Sequence, residues 1–172
     1  MRSLSLAAAL AVIFASPAAF AGDVSSKFVN NEGKEVGTVS IVGGPHGLVA
    51  TVSLDKGALK PGAHGIHIHE HGDCSDTAKF EKSKGHVNPA KTEHGFLNPK
   101  GPHPSDMPNI WAHEDGSVLA EIFVTGIAVS GGQTNLVDED GSAIVIHANP
   151  DDHLSQPIGG AGARVACAEF KK

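Results

Sequence analysis

The stretch VSSKFVNNEGKEVGTVSIVGGPHGLVATVSL, residues 24–54, decides the fold class of this chain. It contains three valine-rich runs with partial two-residue alternation, at 24–30, 35–42 and 46–54, and such runs are typical of β-strands. The segments between the runs, at 30–33 and 43–45, are rich in Asn, Gly and Pro, which hairpin turns require. This stretch therefore predicts three successive strands joined by tight turns.

Further strand-like runs follow along the rest of the chain, and no segment has the pattern of an amphipathic helix. Eight short strands without helices predict an all-β fold, an antiparallel sandwich or barrel, within one domain at 22–172. Two stretches, 72–108 and 148–162, are too long to be ordinary connections and are expected to be functional loops. The additional strand-like runs lie at 65–71, 109–114, 118–126, 142–149 and 163–170.

Composition narrows the possible functions. Of the 172 residues, 40% are hydrophobic and 19% charged, which argues against a disordered or fibrous chain. Lys and Arg total 13 against 19 Asp and Glu, and the resulting net charge of -6 argues against a nucleic-acid partner or an anionic membrane surface. Eleven histidines are the unusual feature of the composition.

The N-terminus has the pattern of an export signal. Arg2 precedes an apolar stretch at 4–14, and Ala19-Phe20-Ala21 is a pattern that signal peptidase accepts. Spanning a bilayer needs about 20 apolar residues, so we expect residues 1–21 to be a cleaved signal peptide and not a membrane span. The expected mature chain, 22–172, has 12 basic and 19 acidic residues and a net charge of -7.

The interpretation of the two cysteines, Cys74 and Cys167, depends on this export. In an oxidising compartment a single pair persists as a disulfide, whereas in the cytosol two free buried thiols would be the ordinary interpretation. A disulfide between them would close a loop of 93 residues.

The sequence His67-Ile68-His69 lies in the fourth strand-like run. Residues two apart in a strand project from the same face, so both imidazoles can reach one ion, and His71 shares that face. Alone, this spacing is weak evidence for a metal site, because pairs of surface histidines are common.

Other candidate ligands follow in the predicted loops and strands. Three imidazoles with one carboxylate suit tetrahedral zinc, and a shell of imidazoles alone suits copper. One histidine must then serve both sites or be surplus. The alternative is a scatter of solvated histidines, which would leave the loop at 72–108 without a core or a constraint, whereas metal coordination would supply one. The further candidates are His86, His94, His103, Asp106 and His147.

Two segments carry a resemblance to a known family. GIHIHEHGD at 65–73 closely resembles the copper-site signature of copper/zinc superoxide dismutases, and GAGARVAC at 160–167 resembles the second family signature. The remaining histidines fall in the order and approximate spacing of that family. The signal peptide, and Cys74 directly after Gly72-Asp73, are similar to the bacterial periplasmic branch.

The resemblance implies the family fold, an eight-stranded antiparallel Greek-key barrel or immunoglobulin-like sandwich, and a role for each matching residue. His86 would bridge the two metal sites, which hold one copper and one zinc per subunit. Asp151 would join His67 to His94 by hydrogen bonds, and Cys74 would pair with Cys167. The implied copper ligands are His67, His69, His86 and His147. The implied zinc ligands are His86, His94, His103 and Asp106.

The implied reaction converts superoxide to oxygen and hydrogen peroxide by alternate reduction and oxidation of the histidine-bound copper, with zinc in a structural role. His86 and Arg164 would be the catalytic residues, Arg164 by attracting the anion to the copper. The loop before Arg164 lacks the lysine found in much of the family, so the positive field must come from elsewhere. Candidates are Lys79, Lys82 and Lys84, although a solvated charge run is an equally good interpretation of them.

Several alternatives stay open. A periplasmic copper-binding or copper-delivery protein could use the same fold, and a zinc-dependent hydrolase or a structural domain is a third class. His64 is expected to make a structural hydrogen bond, His71 is left out of the ligand set, and His153 has the pattern of an ordinary surface histidine. Trp111, the only tryptophan, belongs either to the core or to a homodimer interface.

Overall fold

A computed structural model describes residues 22–172, and the predicted signal peptide at 1–21 lies outside this range. Across 22–172 the chain is almost entirely β-sheet and loop, with one short 3-10 helix at Glu81–Ser83. None of the helices in this range is long and apolar enough to cross a membrane. The nine strands are β1 (Val24–Asn30), β2 (Glu35–Gly44), β3 (Gly47–Leu54), β4 (Gly62–His64), β5 (Ile66–His69), β6 (Ile110–Ala112), β7 (Val118–Val124), β8 (Ser142–His147) and β9 (Arg164–Phe170).

Seven strands form one sheet in the order β5-β8-β9-β1-β2-β3-β7, and β4 pairs with β6. All of these pairings are antiparallel. The two edge strands of the large sheet, β5 and β7, follow β4 and β6 almost directly in the chain. Pairing of β4 with β6 therefore brings the two edges together, and the sheet curls into a barrel in which some neighbouring strands, such as β5 and β8, are not consecutive in sequence.

The predicted all-β antiparallel fold is confirmed. The three strands expected in 24–54 form with only small changes in their bounds, because the turns between them are encoded locally. The ninth strand, β4, is not predicted by the sequence. It has three residues, which is too few to show a period of two, and its pairing with β6 depends on residues almost 50 positions away.

β8 is buried along its whole length because both of its faces are covered. Ile144 and Ile146 point into the main barrel core, whereas Ala143 and Val145 belong to a second, smaller cluster. That cluster also contains Phe80 and the disulfide that joins Cys74 to Cys167. The long loop therefore has an apolar attachment on the outside of the barrel, which explains how it remains ordered without a core of its own.

Candidate metal centre

The alternation of β5 places two histidines on the outer face of the barrel. Ile66 and Ile68 pack in the main core, so His67 and His69 face the opposite side, where the long loops cover and fully bury them. β5 pairs with β8, and His147 at the end of β8 continues the outward series of Ala143 and Val145. Two neighbouring strands thus supply three histidines to one face.

A β-bulge directs Arg164 to the same face. The register between β8 and β9 shifts at Ile146/His147, so that Ile146 pairs with Ala166 and His147 pairs with Arg164. Val165 is the extra residue, and it packs against the main core. A bulge re-aims the side chains beyond it, and here it places Arg164 opposite His147.

Four ring nitrogens at this face are buried and have no hydrogen-bond partner among the described residues. Unpaired buried polar atoms are rare in folded proteins and require an explanation. The four histidines also have ligating atoms that all lie within 4.8 Å of one another, which suits a shared ion. The four atoms are His67 Nδ1, His69 Nε2, His86 Nε2 and His147 Nε2.

The opposite nitrogen of each ring is held by the protein. His69 Nδ1 lies 2.8 Å from the Lys84 carbonyl oxygen, and His147 Nδ1 lies 3.0 Å from that of Gly162. Since a carbonyl oxygen can only accept, these contacts leave Nε2 of both rings with a lone pair directed into the cluster. This is the arrangement that orients histidines as metal ligands.

A second cluster lies beside the first and shares His86. Asp106 Oδ1 is 2.8 Å from His94 Nδ1, 3.3 Å from His86 Nδ1 and 3.4 Å from His103 Nδ1. His86 Nδ1 and His103 Nδ1 are 3.1 Å apart. Ligands of a tetrahedral zinc lie about 3.3 Å from one another when each is about 2.0 Å from the metal. These four atoms therefore have the spacing of a zinc site.

His67 also lies within 4.8 Å of His86, His94 and Asp106, so distance alone would admit it to the second cluster. Its hydrogen bonding assigns it to the first. His67 Nε2 is engaged by Asp151 at 2.8 Å, and only Nδ1, the unpartnered atom, is available as a ligand. His103 is the better fourth member of the second cluster because its Nδ1 lies 3.1 Å from His86 Nδ1 and 3.4 Å from Asp106 Oδ1.

Asp151 connects the two clusters by hydrogen bonds. Its Oδ2 accepts a hydrogen bond from His67 Nε2 at 2.8 Å, and its Oδ1 accepts one from His94 Nε2 at 3.1 Å. The carboxylate is 3% exposed, so these bonds are not weakened by competition with solvent.

The protonation preferences differ between the two clusters. Burial lowers the pKa of His67 to about 3 and that of His147 to about 4, so both rings are neutral at pH 7 and can donate lone pairs. Burial alone would also lower the pKa of His94, but hydrogen bonds to Asp106 and Asp151 raise it to about 9. The two carboxylates beside His94 therefore favour positive charge at that ring, whereas burial lowers the pKa of His103 in the same cluster.

Arg164 is half-buried near the first cluster and is held by the long loop. Its Nη1 donates to the Phe80 carbonyl oxygen at 2.6 Å and to Ser83 Oγ at 3.0 Å, and its Nη2 donates to the Lys84 carbonyl oxygen at 2.7 Å. The Lys84 carbonyl also accepts from His69. The arginine and a histidine of the first cluster are thus fixed by the same backbone atom.

Five histidines lie outside both clusters, and two of them, His46 and His113, are exposed. His64 is buried between the carbonyl oxygens of His147 and Lys60, which confirms the expected structural hydrogen bonds. His71 pairs with Asp140 at 3.1 Å, and its side chain is 40% exposed. His153 differs from the expected surface histidine, because its Nδ1 is buried 3.4 Å from Asp151 Oδ2.

Two supporting residues were not identified from the sequence. The side-chain amide of Asn109 bonds the backbone N–H and C=O of Asp151, both at 2.8 Å. The amide of Gln156 bonds the backbone of His94 in the same way, at 2.9 and 2.8 Å. Each lies 42 to 62 positions from its partner, and isolated polar residues at such separations give no local signal.

Comparisons with known proteins agree with this geometry. The family described as copper/zinc superoxide dismutase matches residues 35–170. A superoxide dismutase [Cu-Zn] of Caulobacter vibrioides is 49% identical over 143 residues, which cover 81% of this chain and 80% of that protein.

Solved structures show the same relationship. A double mutant of a SOD-like protein from Bacillus subtilis has a TM-score of 0.82 and 40% identity, covering 86% of this chain and 97% of the other. The Cu/Zn superoxide dismutase of Brucella abortus has a TM-score of 0.68 and 31% identity, covering 86% and 98% of the two chains. The chain belongs to the copper/zinc superoxide dismutase family.

Proposed function

We propose that this chain is a superoxide dismutase, an oxidoreductase that converts superoxide to oxygen and hydrogen peroxide. The observation that carries the proposal is the set of four unpartnered, buried ring nitrogens beside a His-His-His-Asp cluster, with His86 belonging to both. A donor set of imidazoles alone suits copper, and three imidazoles with a carboxylate suit zinc.

The ligand assignment follows from the free donor atoms. In the second cluster, His86, His94, His103 and Asp106 would hold zinc, whose role there is structural because zinc does not change oxidation state. Copper bound at the first cluster would supply one-electron redox chemistry, accepting an electron from one superoxide and returning it to another. The copper ligands in this proposal are His67 Nδ1, His69 Nε2, His86 Nε2 and His147 Nε2.

His86 is placed to hold a proton within the site. Its Nδ1 faces His103 and Asp106, and its Nε2 faces the first cluster without a hydrogen-bond partner among the described residues. A ring that is fixed at Nδ1 can accept a proton at Nε2 and release it without reorientation. The product peroxide needs two protons, and His86 Nε2 would supply one of them in the state in which it is not bound to copper, because a coordinated nitrogen cannot carry a proton.

Arg164 would bind the superoxide anion. Three of its five N–H groups are used by the long loop, so the remaining two are available to a small anion next to His69 and His147. A chain with 12 basic and 19 acidic residues between 22 and 172 repels anions overall, which makes a local cation necessary. Lys79, Lys82 and Lys84 are the neighbouring cations that would add to this field.

The test is superoxide consumption by purified residues 22–172, with copper and zinc quantified on the same sample and cyanide added as a probe of the copper site. We expect fast, cyanide-sensitive consumption with about one copper and one zinc per chain. Full metal content with negligible consumption would instead support the alternative of a copper-binding or copper-delivery protein.

We also propose that the protein works in the periplasm after cleavage near Ala21. The pattern at 1–21 and the Cys74–Cys167 disulfide support this location, because such bonds persist in oxidising compartments. N-terminal sequencing of protein recovered from the periplasmic fraction should begin near Gly22. Recovery of the full-length chain in the cytoplasm would contradict the proposal.

A homodimer is the quaternary structure that we propose. Three large apolar side chains are exposed on the neighbouring strands β6 and β7: Trp111 at 70%, Leu119 at 75% and Phe123 at 58%. A tryptophan at this exposure is typical of an interface anchor. Sedimentation should give the mass of two chains, and Trp111→Lys should shift it to one. A monomer at all concentrations would refute the dimer.

A further inference from the structure

The segment Phe80–Lys84 forms a cradle around the Arg164 guanidinium. Two of its three acceptors are backbone carbonyl oxygens, of Phe80 and Lys84, and the third is the hydroxyl of Ser83. Backbone carbonyls are present whatever the sequence, but the Ser83 hydroxyl exists only because this residue is serine. Its contribution therefore depends on the identity of residue 83.

The backbone of the cradle is conformationally strained. Phe80 has φ 54° and Lys84 has φ 65° with ψ -147°, in regions that residues other than glycine rarely adopt. These two residues are also the ones whose carbonyls bond Arg164. Such strain persists only where surrounding contacts enforce it. Because the strained residues are the ones that bond Arg164, the loop conformation is linked to the placement of this arginine.

Two sets of contacts with the rest of the protein hold the cradle in this conformation. Phe80 is fully buried in the small cluster with the disulfide, which fixes one end. The Asp76 carboxylate accepts hydrogen bonds from the backbone N–H groups of Glu81 and Lys82, which fixes the turn between them. Among the side chains of residues 80–84, the Ser83 hydroxyl is the one that accepts a hydrogen bond from Arg164.

The Ser83 hydroxyl donates one hydrogen bond and accepts another. The residue is completely buried, its hydroxyl donates to the Phe80 carbonyl oxygen at 2.8 Å, and the oxygen accepts from Arg164 Nη1 at 3.0 Å. The same oxygen lies 3.4 Å from Nδ1 of His69, a histidine of the first cluster. Because Ser83 itself is completely buried, removal of its hydroxyl leaves a space too small and too apolar for a water to restore the same hydrogen bonds.

We propose that Ser83 is a positioning residue, whose buried hydroxyl holds the Arg164 guanidinium in one orientation and thereby aims its two remaining N–H groups at the substrate anion. The inference rests on the proposed function for the role of the anion, but the immobilisation of Arg164 by Ser83 is a statement about the protein alone. The two parts can be tested separately.

The first measurement uses zinc-loaded, copper-free protein of residues 22–172. Arg164 is the only arginine in this range, so a nitrogen-15 arginine label gives a single guanidinium signal by NMR. Three hydrogen bonds at both Nη atoms should slow rotation about the Nε–Cζ bond relative to free arginine. Ser83→Ala should accelerate this rotation, and Ser83→Thr, which keeps the hydroxyl, should restore it.

Ser105→Ala is the matched control. Ser105 is also a completely buried serine in the same long loop, but its hydroxyl has no hydrogen-bond partner in the described chain. It should leave the guanidinium rotation unchanged. Rapid rotation in the unmodified protein, as in free arginine, would overturn the proposal without any variant. The proposal can therefore be refuted even if Ser83→Ala does not fold.

The second measurement is the affinity of azide for the copper- and zinc-loaded protein, followed by absorbance. Loss of one charge-assisted hydrogen bond to Arg164 should weaken azide binding about tenfold in Ser83→Ala, with metal content unchanged. Unchanged rotation and unchanged azide affinity in Ser83→Ala would refute the positioning role. Faster rotation with unchanged azide affinity would retain the immobilisation and refute its link to anion binding, whether or not the protein is a dismutase.

Discussion

Replacement of Asp151 by alanine should weaken binding of both metals at once. Its two carboxylate oxygens hold one ring from each cluster, His67 at 2.8 Å and His94 at 3.1 Å, and the group is 3% exposed. Without the carboxylate, each ring loses the bond that fixes its orientation and the position of its ring proton. Loss of such an outer hydrogen bond typically reduces metal affinity 10- to 100-fold.

The magnitude for Asp151→Ala is therefore about 1.4–2.8 kcal/mol at each site. The affinity for zinc should fall at least as much as the affinity for copper, because Asp151 also contributes to the environment that favours positive charge at His94. The assay is equilibrium competition with chelators of graded affinity, carried out separately for zinc and for copper.

Asp152→Ala provides the control for this experiment. Asp152 is the adjacent residue, but it is exposed, and its side chain accepts hydrogen bonds only from Leu154 and Ser155 among the described residues. It should leave both affinities unchanged. If Asp151→Ala weakened only one metal, or neither, the conclusion that this carboxylate couples the two clusters would be wrong.

Three further predictions follow from the same geometry. In Gly159→Ala the new Cβ would overlap Asp151 Oδ1 and lie 3.0 Å from His94 Nε2, so the affinity for both metals should fall as in Asp151→Ala. Gly160 is the control, because its φ is similar, +67° against +61°, but the space around its Cβ is open; in chelator competition Gly160→Ala should bind both metals with unchanged affinity. Replacement of both Cys74 and Cys167 by alanine opens a loop of 93 residues and should lower the free energy of unfolding by about 4–5 kcal/mol in denaturant titrations, whereas an unchanged midpoint would refute the stabilising role. Arg164→Ala should lower the second-order rate with superoxide by at least about tenfold and flatten its dependence on ionic strength, and an unaltered salt dependence would exclude Arg164 from steering.

The sequence predicts the strands and the ligand-bearing face of this protein because their signals are local. Two-residue alternation places His67 and His69 on one side of β5, and the glycine- and asparagine-rich turns specify the first three strands. The all-β class follows from the same periodicity. The resemblance to a family then brings distant residues such as His147 into the same site.

The features that escape prediction depend on contacts between distant segments. The bulge that turns Arg164 outward arises from the register between β8 and β9, and a one-residue shift has no signature in the β9 sequence. Ser83, Asn109 and Gln156 act through partners that the folded loops bring close. Their side chains are ordinary polar groups, and only the three-dimensional structure shows what they hold in place.

The most direct test of the two-cluster account is a crystal structure of the loaded protein with anomalous diffraction measured at the copper and zinc absorption edges. The account predicts copper bound by His67, His69, His86 and His147, and zinc bound by His86, His94, His103 and Asp106, with His86 between the two ions. A single ion, or zinc bound by His67 in place of His103, would contradict it.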